Sequence, residues 1–271
     1  MKIYDCCMYF DEDLMLDLRL NILYDYVDIF IIAEATRDHA GNKKKLNFNY
    51  DNFTKFKNKI KYLVIDDLPI VAKSNKKNWA AAHIRDQYQR NSLAKGFKES
   101  DDNDLIMISD IDEIPNPKKL SEFNIKNKYG CFIQKNFQLK LNLLNITDNN
   151  WMGTKICKKK YLKNPQWLRN IKTKKRPFWK FYKPKEPQLI LDGGWHFSFL
   201  KKPNDIAKKI KSYAHQEFYK DKFIDEEKIK KRIKNNQDIF DRDIKYKKVE
   251  IDRSFPEYIF NNQSMFKEWI V

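Results

Sequence analysis

The chain lacks the features that mark several special classes of protein. No apolar run approaches the roughly 20 residues that cross a bilayer. Acidic residues at positions 5 and 11–13 interrupt the start of the chain, so no signal peptide is expected. The four cysteines have neither metal-ligand nor redox spacing, and no repeat or low-complexity linker divides the chain. We therefore expect one continuous domain, residues 1–271, in a reducing cytoplasm and without a transmembrane segment.

The charge balance narrows the classes of partner. The chain has 54 Lys and Arg against 37 Asp and Glu, a formal charge of +17, which favours sugar nucleotides, nucleic acids or anionic membranes. The lysines are spread along the chain, and most are interpreted as solvating the surface. A non-catalytic RNA- or membrane-binding module is the alternative of a different class, and it requires basic and aromatic residues clustered on one face. The sequence has no such cluster, so we predict no nucleic-acid partner and leave peripheral membrane contact open.

Strand-like and helix-like segments alternate in the first half of the chain. The strands are predicted over residues 2–9, 29–35, 60–65 and 105–109, with helices after residue 11 and over residues 79–94. This alternation indicates an α/β fold with a mainly parallel central sheet and helices on both faces. Residues 1–123 are predicted to form a nucleotide-binding half. Residues 124–271 are predicted to form an acceptor-side half with C-terminal helices.

The most informative stretch is an apolar strand that ends in acids. Leu105–Ile108 reads as a strand buried on both faces, and Asp110, Asp112 and Glu113 follow it before Pro115. Paired carboxylates at the carboxyl end of a central strand lie where open α/β sheets bind ligands, and their hard oxygens suit Mg²⁺ or Mn²⁺. The alternative is a polar strand end that only caps a helix. A metal-dependent phosphatase is a second enzymatic alternative, because some phosphatases share the Asp-x-Asp pattern.

A second cluster surrounds two glycines late in the chain. Gly193 and Gly194 would let the backbone approach a ligand, and His196 could complete the shell of a metal held by the carboxylates. Asp192, the acid closest to this loop, could take a proton from a sugar hydroxyl. A histidine satisfied inside a sheet is the alternative for His196.

Two predicted helices carry further candidates. His215 and Glu217 do not share a helix face, so one of them could point to the site while the other braces it. On an earlier helix, Arg85 and Arg90, together with Gln89, could present polar groups to a pyrophosphate. A solvated face explains that spacing equally well.

Several blocks in one order resemble glycosyltransferase family 17, whose members include β-1,4-mannosyl-glycoprotein β-1,4-N-acetylglucosaminyltransferases. The blocks that carry the resemblance run nearly from end to end of the chain: Ile3–Cys6, Val27–Asp28, Glu34–Arg37, Asp66–Pro69, Gln89–Asn91, Ser109–Pro115, Gly193–Phe199, Ala214–Phe218 and Pro256–Tyr258.

The resemblance implies a GT-A-like, Rossmann-type domain and an inverting transfer of GlcNAc from UDP-GlcNAc. It implies that Asp110 and Asp112 hold Mn²⁺ or Mg²⁺ on the donor diphosphate and that His196 completes the metal shell. An inverting transfer needs one base, for which Asp192 is the first choice and Glu217 the second. The resemblance also implies that Glu34, Thr36 and Arg37 meet the nucleoside of the donor. Together with Asp110 and the two helix arginines, the predicted donor-binding residues are Glu34, Thr36, Arg37, Arg85, Arg90 and Asp110.

The chain also departs from the animal members of this family. Those enzymes have an N-terminal membrane anchor, which this sequence does not show. An unanchored form suggests a microbial or viral member. Its expected acceptor is a lipid-linked or surface glycan precursor.

Overall fold

The protein was analysed as a computed structural model that describes residues 1–71, 78–174, 185–212 and 221–271. The strands in this part of the chain are β1 (Ile3–Tyr9), β2 (Ile29–Ala35), β3 (Ile60–Ile65), β4 (Leu105–Ser109), β5 (Glu113–Pro115), β6 (Tyr129–Gln138), β7 (Leu143–Asn145), β8 (Asn150–Lys158), β9 (Gln188–Ser198) and β10 (Tyr246–Lys248). The helices are α1 (Asp13–Leu23), α2 (Asn78–Ser92), α3 (Pro165–Arg169), α4 (Pro203–Ser212), α5 (Asp221–Ile224), α6 (Glu226–Lys234) and α7 (Glu257–Asn261). Short 3₁₀ helices lie at Tyr50–Phe56, Leu93–Phe97, Pro117–Glu122, Lys159–Tyr161 and Gln263–Trp269.

One half of the central sheet is parallel. Strands β3, β2, β1 and β4 lie side by side in that order, and each neighbouring pair runs in the same direction. Their carboxyl ends therefore meet at one edge, where Ala35 ends β2 and Ser109 ends β4. The α/β fold and the position of the acidic strand end agree with the sequence prediction.

The other half of the sheet mixes strand directions, which limits the predicted mainly parallel arrangement to one edge. Strand β8 pairs antiparallel with β4 and with β6, whereas β9 pairs parallel with β6 and antiparallel with β5. The chain passes from β6 to β8 through residues 139–149, which contain only the short β7. So short a connection cannot hold the helical crossover that a parallel pair needs, and an antiparallel return results.

Apolar side chains cover both faces of the sheet, as predicted. Leu16 and Leu20 of α1 pack on one face, and the final segment of the chain packs beside them through Ile259 and Phe266. The other face is covered from α2 onward by a cluster that includes Leu93, Phe97, Leu168 and Ile171. The four cysteines are free and buried, so they contribute to the core as small hydrophobic side chains.

Helices α4, α5 and α6 form a smaller core of their own. Ile206 and Ile210 of α4 contact Phe223 of α5 and Ile229 of α6 in this cluster. The cluster positions α4 beside the carboxyl edge of the parallel strands. No helix in the described ranges has the length and apolar character needed to cross a membrane.

Candidate active site

A cavity of about 450 Å³ opens at the carboxyl ends of the parallel strands. The ends of β1 and β2, the segments that follow β1, β2 and β4, and residues of α2 and α4 form much of its wall. The ends of β6 and β9, Trp151 of β8, and Phe240 and Arg242 also line it. Its lining combines apolar and aromatic side chains with both signs of charge: Met8, Tyr9, Phe10, Glu12, Ala35, Arg37, Asp38, His39, Lys44, His83, Asp86, Gln89, Arg90, Asp110, Ile111, Asp112, Gln138, Trp151, His196, Ser198, Phe199, Lys209, Ser212, Phe240 and Arg242. Such a mixed, concave site suits a ligand with an apolar ring and an anionic group.

Two arginines hold the carboxylate of Asp110. Arg90 of α2 donates from Nη2 to Oδ1 at 3.0 Å, and Arg169 of α3 donates from Nη2 to Oδ2 at 3.2 Å. Burial raises the pKa of Asp110, but the charges of Arg169 and Arg90 outweigh that effect and hold the pKa well below its ordinary value. Asp110 is therefore a permanent anion that joins two helices to the end of β4.

Glu113 is the buried counterpart of Asp110. Its carboxylate takes two parallel hydrogen bonds from Arg169, at 2.7 and 2.8 Å, and one from the indole of Trp151 at 2.8 Å. It also accepts from the main-chain N–H of Asp110 at 3.1 Å. A fully buried carboxylate satisfied in this way is structural, since it has no side open to a ligand.

Arg19 of α1 holds the backbone of the acidic loop, which we define as residues 110–113 after β4. Its guanidinium pairs with Asp5 of β1 through bonds of 2.7 and 2.6 Å, and both side chains are fully buried. Its Nη1 donates to the carbonyls of Asp110, Ile111 and Glu113 at 3.2, 3.3 and 2.8 Å. These contacts provide hydrogen-bond donors for the carbonyl groups of the loop where β4 ends.

Asp112 and His196 face each other across the cavity wall. Oδ1 of Asp112 lies 3.7 Å from Nε2 of His196, because Glu113 and His196 are paired residues of β5 and β9. Nδ1 of His196 lies 3.1 Å from Oδ1 of Asn136, an acceptor-only atom, so this ring nitrogen carries the proton. The ring stacks on Trp151 at a centroid distance of 4.2 Å. Nε2 is thereby aimed at Asp112 and the cavity.

One lysine lies on the opposite side of Asp112, and a second lies beside the neighbouring Glu12. Lys209 of α4 places its Nζ 3.8 Å from Oδ2 of Asp112 and 3.6 Å from Oε1 of Glu12. Lys201 lies 3.7 Å from the same Glu12 oxygen and also pairs with Asp11. Burial raises the pKa of Glu12, but Lys201 and Lys209 outweigh it and bring the pKa to about 2.

The donor set fits a metal only in part. Within the described residues, no group of three or more His, Cys, Asp or Glu is arranged to hold an ion. Asp112 and His196 offer one oxygen and one nitrogen, which is enough for Mg²⁺ or Mn²⁺ that takes its other ligands from substrate phosphates and water. Both oxygens of Asp110 already accept from arginines. The pair that fits is therefore Asp112 with His196, and Asp110 is not placed to join it in this arrangement.

Comparison with known proteins decides the family. The family model for glycosyltransferase family 17 matches residues 1–249. This chain belongs to glycosyltransferase family 17. It is therefore a transferase of sugars, and the sequence-based assignment is confirmed.

Two other comparisons add little to this assignment. A search of curated proteins found no match to the chain. Among solved structures, the chain is similar to one described as "Crystal structure of a glycosyltransferase involved in the glycosylation of the major capsid of PBCV-1". The two share 15% identity with a TM-score of 0.32, over 70% of this chain and 81% of that one. A TM-score this low does not establish a common fold.

Some residues predicted to bind the donor lie elsewhere in this glycosyltransferase. The carboxylate of Glu34 is wholly buried and accepts from the N–H groups of Asn47 and Phe48, at 2.8 and 3.0 Å, and from Tyr62 at 2.8 Å. Glu34 therefore holds the loop after β2 and is not placed to touch a nucleoside. Thr36 donates to a carbonyl of β3, at 3.4 Å, and does not line the cavity.

Of the three arginines predicted to bind the donor, two line the cavity and one lies behind its wall. Arg37 and Arg90 line the cavity. Arg85 is buried behind the wall, where it donates to the carbonyls of Pro69 and His39 at 3.2 and 3.0 Å. Arg85 thus positions the loop that carries Arg37 and His39, and it does not reach the site itself.

Asp192, the first choice for the base, lies outside the cavity. Its side chain is exposed four residues before His196, at a bulge of β9 where the φ of Asp192 is +48°. The neighbouring glycines serve packing, because a Cβ on Gly194 would lie 2.2 Å from the carbonyl oxygen of Ile114. The close approach of β9 to β5 at Gly194, and to β6 at Gly193, is what requires glycine here.

Glu217, the second choice for the base, lies outside the described residues. Glu217 and its neighbour His215 fall within residues 213–220, outside the described ranges. Glu217 as base therefore stays a prediction.

Sequence reasoning missed the residues that complete the constellation. Arg169, Trp151 and Lys209 contact the acidic loop, and Glu12 pairs with Lys209. Each of the four stands alone in a stretch without a recognisable motif. Their contacts join residues far apart in the chain, such as Arg169 and Asp110. A pairwise signal, such as covariation between positions, would be needed to find them.

Proposed function

We propose that this enzyme transfers a sugar, GlcNAc from UDP-GlcNAc as first choice, to a glycan hydroxyl with inversion at the anomeric carbon. The single observation that carries the proposal is the Asp112–His196 pair, 3.7 Å apart, in a cavity at the end of β4. The choice of UDP-GlcNAc rests on the family resemblance. The proposed acceptor is a glycan or a lipid-linked glycan.

The proposal includes a divalent metal, Mn²⁺ or Mg²⁺, held by Asp112 and His196. When bound, the metal would neutralise charge on the diphosphate leaving group. The residues suit this role, because Asn136 keeps the proton on Nδ1 of His196 and leaves Nε2 free to bind. Asp110, held by two guanidinium groups, anchors the loop, so we do not include it in the proposed metal-binding pair.

The remaining cavity wall fits the other parts of such a donor. Arg37 and Lys209 supply positive charge for phosphate oxygens. Met8 and Ala35, at the ends of β1 and β2, offer an apolar surface for a nucleoside ring. Open α/β sheets bind nucleotides at this edge.

The enzymatic alternative, a metal-dependent phosphatase, is less well supported. Phosphatases with this acid pattern use the first aspartate as a nucleophile, which requires a free carboxylate oxygen. In this chain both oxygens of Asp110 accept from arginines and its pKa is held low, which weakens it as a nucleophile.

A binding experiment tests the proposal. We would measure the thermal midpoint of the purified enzyme with a panel of nucleotide sugars, each with and without Mn²⁺. A ligand that binds only the folded state raises apparent stability by about 2.7 kcal/mol at a hundredfold excess over Kd. We expect the largest shift with a UDP-sugar and Mn²⁺ together, and a much smaller shift in Asp112→Asn.

Three outcomes would contradict the proposal. The first is a thermal shift with a nucleotide sugar that is the same with Mn²⁺, with EDTA and in Asp112→Asn, which would exclude the metal. The second is rapid hydrolysis of simple phosphomonoesters without any sugar transfer, which would favour the phosphatase. The third is submicromolar RNA binding that weakens steeply with salt, without UDP binding, which would favour the RNA-binding module.

A further inference from the structure

Lys209 takes part in the site without belonging to any motif. Its ammonium lies 3.8 Å from Asp112 and 3.6 Å from Glu12, and the side chain lines the cavity. His196 lies on the other oxygen of Asp112, at 3.7 Å. The carboxylate is thus placed between a lysine and an imidazole, so a positive charge already lies at the oxygen next to the proposed metal position.

We propose that Lys209 is the cation held by Asp112 until metal and donor arrive together, and that it then pairs with the donor diphosphate. This inference rests on the proposed function. It assigns Lys209 as a donor-binding residue and makes metal binding depend on the diphosphate. Free metal binds weakly, because a divalent cation beside an ammonium group is repelled.

The local charges allow Lys209 to leave Asp112. Glu12 keeps a second cation when Lys209 moves, since Lys201 lies 3.7 Å from the same carboxylate oxygen. Two main-chain N–H groups, of Phe10 and Asp11, also donate to Glu12 at 3.0 and 3.2 Å. Lysine carries its charge on a flexible four-carbon chain, so it can turn from Asp112 to a ligand without a backbone change.

The negative charge of the donor diphosphate allows the metal ion and the ammonium group of Lys209 to occupy the site together. A nucleoside diphosphate carries at least two negative charges, and its oxygens can bind a divalent metal and an ammonium group at once. The metal and the diphosphate are therefore coupled: each raises the affinity for the other by the same factor.

Binding measurements without turnover test this inference. We would titrate Mn²⁺ alone, by electron paramagnetic resonance of the free ion, and UDP with and without Mn²⁺, by calorimetry. The variants are Lys209→Met and Lys209→Gln, with Lys208→Met as the matched control. Lys208 carries the same charge one residue away, but its side chain is 64% exposed and pairs with Asp205.

We expect Lys209→Met and Lys209→Gln to bind Mn²⁺ alone about tenfold more tightly than the wild type, because the competing charge is gone. We expect both to bind UDP with Mn²⁺ more weakly, so the coupling factor falls. Lys208→Met should match the wild type in both titrations, and thermal unfolding should show all three variants folded.

Two results would overturn the inference. The first is Mn²⁺ affinity that does not change in either Lys209 variant while Asp112→Asn loses the metal; the metal site would then stand and the lysine's role would fail. The second is wild-type protein that binds no Mn²⁺ with or without UDP. That result would contradict the proposed metal dependence itself, so the two failures are distinguishable.

Discussion

Nη1 of Arg19 donates to the main-chain carbonyl of Glu113 at 2.8 Å, which joins α1 to the acidic loop 94 residues later in the chain. The same guanidinium pairs with Asp5 of β1. Both side chains are fully buried, so the ion pair is shielded from solvent. The backbone that presents Asp110 and Asp112 is thus set by a buried ion pair beneath it.

Breaking this ion pair should destabilise the fold and the site together. We expect Arg19→Met to lower the free energy of unfolding by about 3–5 kcal/mol, because Asp5 is left buried without a partner. The double variant Asp5→Asn/Arg19→Met should recover part of the loss. Urea unfolding measures both, and a loss below about 1 kcal/mol in Arg19→Met would show that water or another residue replaces the guanidinium.

The two aspartates of the acidic loop should respond differently to removal of their charge. We expect Asp112→Asn to lose metal-dependent transfer, with little change in stability. Asp110→Asn should mainly lower stability, because it removes the anion that Arg90 and Arg169 share. Activity against Mn²⁺ concentration, together with urea unfolding, separates these effects. Equal loss of metal affinity in both variants would mean that Asp110 is also a ligand.

The exposed position of Asp192 predicts that it is not the base. We expect Asp192→Asn to keep most of the wild-type kcat, since its side chain lies outside the cavity wall. Glu217→Gln is the comparison. If Glu217 is the base, this variant should show a large fall in kcat with donor affinity unchanged. A severe fall in kcat for Asp192→Asn would instead require β9 to rearrange when substrate binds.

The low pKa of Glu12 predicts acid sensitivity. In the folded enzyme its pKa is about 2, against about 4.3 in an unfolded chain. A lowered pKa stabilises the fold fully above the unfolded value, and the stabilisation is lost as pH falls from about 4.3 towards the folded value.

Glu12→Gln should remove this pH dependence. We expect wild-type stability to fall by up to about 3 kcal/mol more than that of Glu12→Gln between pH 5 and pH 2. Glu257→Gln is the matched control, because that side chain is 73% exposed. Parallel stability curves for wild type and Glu12→Gln would show that the lysines do not act on Glu12 as described.

Local patterns were enough to predict the parallel half of the fold and the acidic strand end. The apolar runs of β1, β2 and β4 are long enough to be recognised singly, and the acids after β4 stand next to one another in the chain. Short-range information of this kind needs no knowledge of the partner strands. The family could be predicted from the sequence because several such blocks occur in one order.

The sequence by itself determined that the acidic loop lies at the carboxyl edge of a parallel sheet, because residue periodicity sets which strands are buried. Only the tertiary structure decided what each acid does there. Asp110 is held by Arg90 and Arg169, whereas Asp112 faces His196 and Lys209. These partners come from helices and strands far apart in the chain, and the charge, burial and remaining bonding capacity of a carboxylate depend on which of them folding brings within reach.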